Sequence, residues 1–150
     1  MQENKKALVL LNMGGARSKD QLKMFLTNMF NDRNIITVKN DLIRKMIAYF
    51  IVSRRLDSAW ENYKDIGNAS PINPLTEKLV QKCNEQIEDY KVYQAMRYTP
   101  PFAQDVIKEL LKDGITNILL LPLYPQFSTT TTKSSVQDFI DYTPYSCKLE

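Results

Sequence analysis

Short, nearly unbroken apolar runs alternate along this chain with longer stretches in which apolar residues return every three or four positions. That is the pattern of strands and amphipathic helices taken in turn. Ala7, Leu8, Val9, Leu10 and Leu11 form the first run and predict a buried strand, which Asn12-Met13-Gly14-Gly15 breaks. Ser18 or Asp20 then caps a helix whose one face carries Leu22, Phe25, Leu26, Met29 and Phe30. Helical spacing resumes over 41–55 and again over 57–64, Gly67, Pro71 and Pro74 make 66–74 a loop, and a further helix covers 76–87. The second half repeats the scheme. A strand at 91–96 leads to a helix over 101–112, opened by Pro101 and stopped by Asp113-Gly114; then come a strand at 115–121, a helix over 135–140 and a last strand opening at 146–149. Strands separated by helices predict an α/β domain, a doubly wound parallel β-sheet of about four strands with right-handed crossovers and helices on both faces. The span 1–150 reads as a single domain of this kind.

Two stretches carry more than a fold signal. Over 121–135 the apolar run ends in Pro122, Pro125 and a row of hydroxyls from Ser128 through Thr132 to Ser135. A buried strand thus delivers a polar loop to one edge of the sheet, where open α/β folds hold ligands. The plainer alternative is a Ser/Thr-rich loop that opens a helix, with Ser134 as its N-cap. Over 41–55, Leu42, Ile43, Met46, Ile47, Phe50 and Ile51 form an unusually broad apolar face flanked by Arg44, Lys45, Arg54 and Arg55. It suits either a core helix or a lip facing a hydrophobic ligand or a membrane surface.

Composition narrows the chemistry. At 150 residues, 43% hydrophobic and 25% charged, the chain is long enough to bury roughly two-thirds of its unfolded surface. Its two cysteines, Cys83 and Cys147, stand far apart, so neither a disulfide framework nor a zinc site is expected and the cytoplasm is the expected compartment. A net charge of +3 spread among interspersed acids argues against nucleic acid. The apolar run at 7–11 is too short for a signal peptide and no run approaches spanning length, so the chain reads as soluble. There is no histidine. A proton acceptor working near neutral pH must therefore come from Glu, Asp, Tyr or another segment.

Several segments together resemble one family. Leu11-Asn12-Met13-Gly14-Gly15, Phe25 through Asp32, Arg54-Arg55, Tyr63 through Ile72, Met96-Arg97-Tyr98, and Tyr124 through Ser128 with Thr131 through Ser135 fall in the order and spacing of ferrochelatase. The likeness runs over essentially the whole chain but only over the N-terminal half of that family's enzymes, so a C-terminal domain is absent here. It implies a chelatase-like fold of two similar α/β domains with a porphyrin held between them, and insertion of ferrous iron into that porphyrin late in haem synthesis. Iron(II) and porphyrin are then substrates, and no resident cofactor or metal is expected in this chain.

The resemblance also implies roles for single residues. Met13 would lie against one face of the macrocycle, although a strand-end methionine by itself favours packing in the core. Arg55 and Ser70 would anchor propionate oxygens, and Tyr63, Arg97, Tyr98, Tyr124, Ser128 and Thr130 would line the pocket. The family's catalytic histidine and glutamate fall in the absent half, so no catalytic residue is expected among these 150 and the chain alone is expected to be inactive. Peripheral membrane contact fits the apolar face at 42–51. Three departures from the family pattern stand out: Ala16 in place of a proline, Gly67-Asn68-Ala69 in place of three glycines, and Lys133 in place of a glycine. A positive φ at Ala69 would cost roughly 1–2 kcal/mol. Outside this family, a non-catalytic tetrapyrrole-binding module is the alternative, and a generic phosphate site at Gly14-Gly15 is weakened by the lack of any GxGxxG or Walker pattern.

Overall fold

The computed structural model describes residues 6–150, and the polar run at 1–5 lies outside the described residues. Four strands, β1 (Lys6–Asn12), β2 (Lys91–Met96), β3 (Asn117–Pro122) and β4 (Lys148–Leu149), form one wholly parallel sheet in the order β2-β1-β3-β4. The doubly wound α/β expectation is met. β1 sits between two parallel neighbours, Val9 pairing with Tyr93 on one side and Leu120 on the other, which is why its sequence is continuously apolar instead of alternating.

Five α-helices flank the sheet among the described residues: α1 (Lys19–Asn31), α2 (Asp41–Lys64), α3 (Ile72–Gln86), α4 (Ala103–Lys112) and α5 (Ser134–Tyr142). One face of the sheet, through Ala7, Val9, Leu11, Tyr93 and Ala95, packs on Val106, Ile107 and Leu110 of α4 and on Phe139 of α5. The other, through Leu8, Leu10 and Val92, meets Val80 and Cys83 of α3. Each fully buried large aliphatic side chain in these layers contributes about 1.5–3 kcal/mol. A third cluster joins α1 to α2, with Leu22 and Leu26 against Val52 and the half-buried Leu56, Trp60 and Tyr63.

Several expected boundaries move. The two helices expected over 41–55 and 57–64 are one helix of 24 residues, since nothing between them breaks the hydrogen-bond ladder. α3 begins at Ile72, inside the expected loop, because Pro74 falls in the first turn, where its missing N–H is not needed. α4 begins at Ala103 and not at Pro101, which lies in the preceding turn and accepts the Met96 N–H at 2.7 Å through its carbonyl. Ser134 does not cap α5: it is the first residue of that helix, preceded by a π-helical turn over Thr129–Lys133 that Ser128 caps. The left-handed conformation in 67–69 falls on Gly67 and on Asn68 (φ 60°), which tolerates it, and Ala69 is spared the expected strain.

The broad apolar face of α2 does not enter the core. Leu42, Ile43, Met46, Tyr49 and Phe50 are 48–76% exposed, whereas Ala48 and Val52 pack and the expected flanking residue Arg44 is buried. Arg44 is compensated there: it donates to the carbonyls of Asn31 and Val38, each at 2.9 Å, and to Asp41 at 2.8 Å.

Candidate functional site

The crossovers from β1 and from β3 leave in opposite directions, so the carboxyl ends of these neighbouring strands form a topological switch point, where open parallel sheets hold ligands. The loops there are stitched to one another through their backbones. Asn12 and Met13 accept from the N–H groups of Arg97 at 2.8 Å and Tyr98 at 3.0 Å, and the Leu123 N–H reaches the Leu11 carbonyl at 2.8 Å. Gly14 makes the close approach possible. It has φ +84°, and a β-carbon on it would run into the buried Thr99 hydroxyl.

Below these loops lies a polar network centred on Asp32, the C-cap of α1, whose side chain is 1% exposed. One carboxylate oxygen accepts from the Ser134 hydroxyl, from the Tyr98 hydroxyl at 2.9 Å and from Arg97 Nη2 at 3.1 Å. The other accepts the Asn34 N–H at 2.7 Å. Arg97 also donates through Nε to Ser134 Oγ at 2.8 Å and faces Asp138 through Nη1 at 3.2 Å. One guanidinium therefore stands between two carboxylates.

These contacts set the protonation states. Burial pushes the Asp32 carboxyl up, but the Ser134 hydroxyl, the Asn34 N–H and the Arg97 charge outweigh it and hold the group below the ordinary carboxylate value. For Asp138 burial wins, and the Arg97 charge offsets it only in part, so its carboxyl titrates above the ordinary value. Burial likewise raises the hydroxyls of Tyr98 and Tyr124. Both phenols keep their protons at neutral pH and neither serves there as a base.

The residues singled out by resemblance fall into separate groups. Met13, half-buried, lies in the loop after β1 beside Arg97 and Tyr98. Tyr98 itself is interior, 1% exposed with its ring edge-on to Phe25 at 5.5 Å, so it supports the loops from below and presents no open face. Tyr124 bonds Ser135 through its hydroxyl at 2.7 Å, and Ser128 bonds Thr130 at 2.9 Å within the π-helical turn. Ser70 is tied to the loop after β1 by its N–H, which donates to the Ala16 carbonyl at 2.7 Å. Tyr63 stacks on Trp60 at 5.8 Å. Arg55 is exposed on α2, and its guanidinium has no partner among the described residues.

A cleft of about 450 Å³ opens beside the network, lined by Asn28, Arg97, Phe102, Asp138 and Tyr142. An apolar groove of about 510 Å³ runs between α1 and α2, past Thr27, Tyr49, Val52 and Leu56. Asp32, Ser134, Ser135 and Asp138 were not singled out from sequence as site residues. The local signal for Asp32 was an acid at the carboxyl end of a helix, where the dipole disfavours one.

In comparisons with known proteins, the chain matches the family model for ferrochelatase over residues 5–148. It is 50% identical over 134 residues to a ferrochelatase of a Nitratiruptor species, covering 89% of this chain and 43% of that protein. A ferrochelatase of Sulfurimonas denitrificans is 52% identical over 136 residues, with 90% of this chain and 43% of that protein covered. One from Helicobacter pylori is 42% identical over 134 residues, with 89% and 40% covered. The chain thus spans about two-fifths of the length of these relatives.

Proposed function

The chain belongs to the ferrochelatase family, and from that membership we propose that it forms one wall of a porphyrin cleft in an enzyme that inserts ferrous iron into the macrocycle during haem synthesis. Pyrrole N–H groups are too weakly acidic to lose their protons unaided at neutral pH. Such a site must therefore bend the ring, expose the nitrogen lone pairs and offer a proton acceptor while a desolvated metal enters. In this reading Met13 contacts the ring face, Arg55 and Ser70 hold propionates, and Tyr63, Tyr124, Ser128 and Thr130 line the pocket, with Arg97 and Tyr98 supporting it. Ferrous iron and porphyrin are substrates, and the remainder of the cleft, with the groups that accept protons and handle iron, comes from a second domain.

The observation that supports this most is the meeting of the Met13 loop and the hydroxyl loop at the switch point of β1 and β3. A flat apolar macrocycle bearing carboxylates matches a site with apolar walls and a few donors at its rim. No helix among the described residues is long and apolar enough to cross a membrane. We place the protein in the cytoplasm, with the exposed face of α2 in peripheral contact with a membrane. A tetrapyrrole-binding chain that performs no chemistry is the second reading.

Metal insertion decides between them. Measured anaerobically with ferrous iron or with zinc, the full-length protein should metallate porphyrin, and the 150-residue chain should not. Comparable turnover by the 150-residue chain would overturn the assignment of the proton acceptor to another domain, and porphyrin binding without turnover by the full-length protein would favour the binding module.

A further inference from the structure

The Asp32 network reaches beyond a cap on α1. Its five donor groups, on four residues, come from three separate segments: the backbone N–H and side-chain amide of Asn34 just past the helix, Arg97 and Tyr98 at the end of β2, and Ser134 at the start of α5. Ser134 follows directly on the π-helical turn Thr129–Lys133, in which the Lys133 N–H donates to the Ser128 carbonyl at 3.1 Å. π-helical turns are rare and recur at functional sites. Ser134 and its buried neighbour Ser135 point inward, the first to Asp32 and Arg97 and the second to the Tyr124 hydroxyl. The Tyr124–Ser135 bond thus ties the two ends of the hydroxyl loop to each other, and Ser134 anchors the loop to Asp32 and Arg97. Arg97 and Tyr98 carry the same carboxylate's hold to Asn12 and Met13 through their backbone N–H groups.

We infer that Asp32 is the positioning residue of the site: through Ser134 and Arg97 it holds the hydroxyl loop after β3 in register with the Met13 loop after β1, and so sets the affinity for porphyrin. This rests on the porphyrin reading above. The chemistry suits a carboxylate. Only an ionised acceptor takes two hydroxyls, a guanidinium and a backbone N–H at once, and such charge-assisted bonds are about twice as strong as neutral ones. An amide in its place keeps the shape but offers a single acceptor oxygen, which leaves Ser134 and Arg97 to rearrange.

The test uses Asp32→Asn and Ser134→Ala, alone and together, in the full-length protein with mesoporphyrin as probe. A brace that served only stability would lower the melting temperature and the active fraction while leaving KM unchanged. A positioning residue raises KM for porphyrin roughly tenfold, the scale of one lost hydrogen bond to a charged group, and leaves KM for the metal unchanged. Because both residues act through the same loop, the double variant should be little worse than Asp32→Asn alone. Hydrogen exchange over 128–135 should accelerate in step. Should Asp32→Asn not fold, Ser134→Ala, which removes one donor and leaves the charge pair with Arg97, carries the test by itself. An unchanged KM for porphyrin in folded variants overturns the inference and leaves the porphyrin reading standing. Failure of the unaltered protein to bind mesoporphyrin overturns the porphyrin reading and this inference with it.

Discussion

Placing a β-carbon on Gly15 would drive it to 2.5 Å from the Ser70 β-carbon and 2.8 Å from Ile72 Cγ2, and closer still to the Ser70 hydroxyl. Carbon atoms pack at about 3.5–4.0 Å, so each contact is too short by roughly an ångström. Neither neighbour is the free end of a long side chain. Ser70 is pinned by its N–H, which donates to Ala16 at 2.7 Å, and Ile72 opens α3. Gly15→Ala must therefore move backbone, and overpacking of this kind costs about 1–3 kcal/mol. At roughly 2–4 °C per kcal/mol for a domain of this size, the melting temperature should fall by about 2–12 °C. Ser70→Gly in the same chain removes the two nearest atoms and keeps the Ile72 contact, so it should restore part of the loss. In the porphyrin reading Gly15→Ala also pushes Ser70 from its propionate and weakens porphyrin binding. Thermal unfolding of the single and double variants, followed by circular dichroism, checks the packing. A Gly15→Ala melting temperature within about 1 °C of the unaltered protein would refute the steric reasoning outright.

Arg55→Ala should weaken porphyrin binding by about 1.5–3 kcal/mol without altering the fold, and Arg55→Lys should recover part of that, both read by fluorescence titration; unchanged affinity would return Arg55 to an ordinary surface charge. Met13→Ala should shift the absorbance of bound porphyrin and cost less than the roughly 2–5 kcal/mol of a truncated core methionine, because Met13 is only half-buried. A larger stability loss with an unperturbed spectrum would remove Met13 from the site. The two acids of the network should respond to pH with opposite signs. Asp32, lowered from an ordinary value of 3.8, stabilises the fold above that pH, and its contribution disappears as pH falls through its folded pKa, so Asp32→Asn should flatten the acid limb of the stability profile. Asp138, raised from the same value, costs stability when ionised, and that cost is relieved as pH falls through its folded pKa; Asp138→Asn should leave neutral stability unchanged or higher, and melting curves from pH 3 to 7 with the reverse order would overturn both assignments.

The strands were legible for two reasons: β1, buried on both faces, shows as an uninterrupted apolar run, and β2, interrupted by Gln94, shows as an alternation. Helix termini were legible where capping chemistry is local, as at Ser18, which accepts from the Gln21 N–H, and at Gly114 with φ +74°. Proline does not break a helix where its missing N–H is not needed, as in a first turn, and α3 starts earlier than expected for that reason. For α2 the difficulty was of another kind. Periodicity gives the width of an apolar face but not which part another element covers: α1 takes the Val52 side and leaves Leu42, Met46 and Phe50 in the open. The candidate site divided similarly. Motifs point to Met13, Ser70 and the hydroxyl loop, whereas no local pattern points to the carboxylate that ties the hydroxyl loop to Arg97 and Tyr98, because its partners Arg97, Tyr98 and Ser134 lie 65, 66 and 102 residues along the chain.

An acid at the carboxyl end of α1 faces the negative pole of the helix, and burying it there without partners would be prohibitive. A local conflict of this sort marks a position chosen for something other than the helix. What it does is consume the charge of Arg97. With Asp32 on one side and Asp138 on the other, that guanidinium sits in a net negative surround and has little to offer a propionate. Arg55, exposed and without a partner among the described residues, has its whole fork available. A carboxylate-bearing ligand would thus find in Arg55 of α2 an uncommitted counter-charge, and in Arg97 a strut that keeps the loops in place. The two arginines should separate accordingly. Loss of Arg55 should alter the salt dependence of porphyrin binding, because a solvent-exposed ion pair is screened. Loss of Arg97 should alter loop order and stability with the salt dependence intact, and the opposite pattern would exchange their roles.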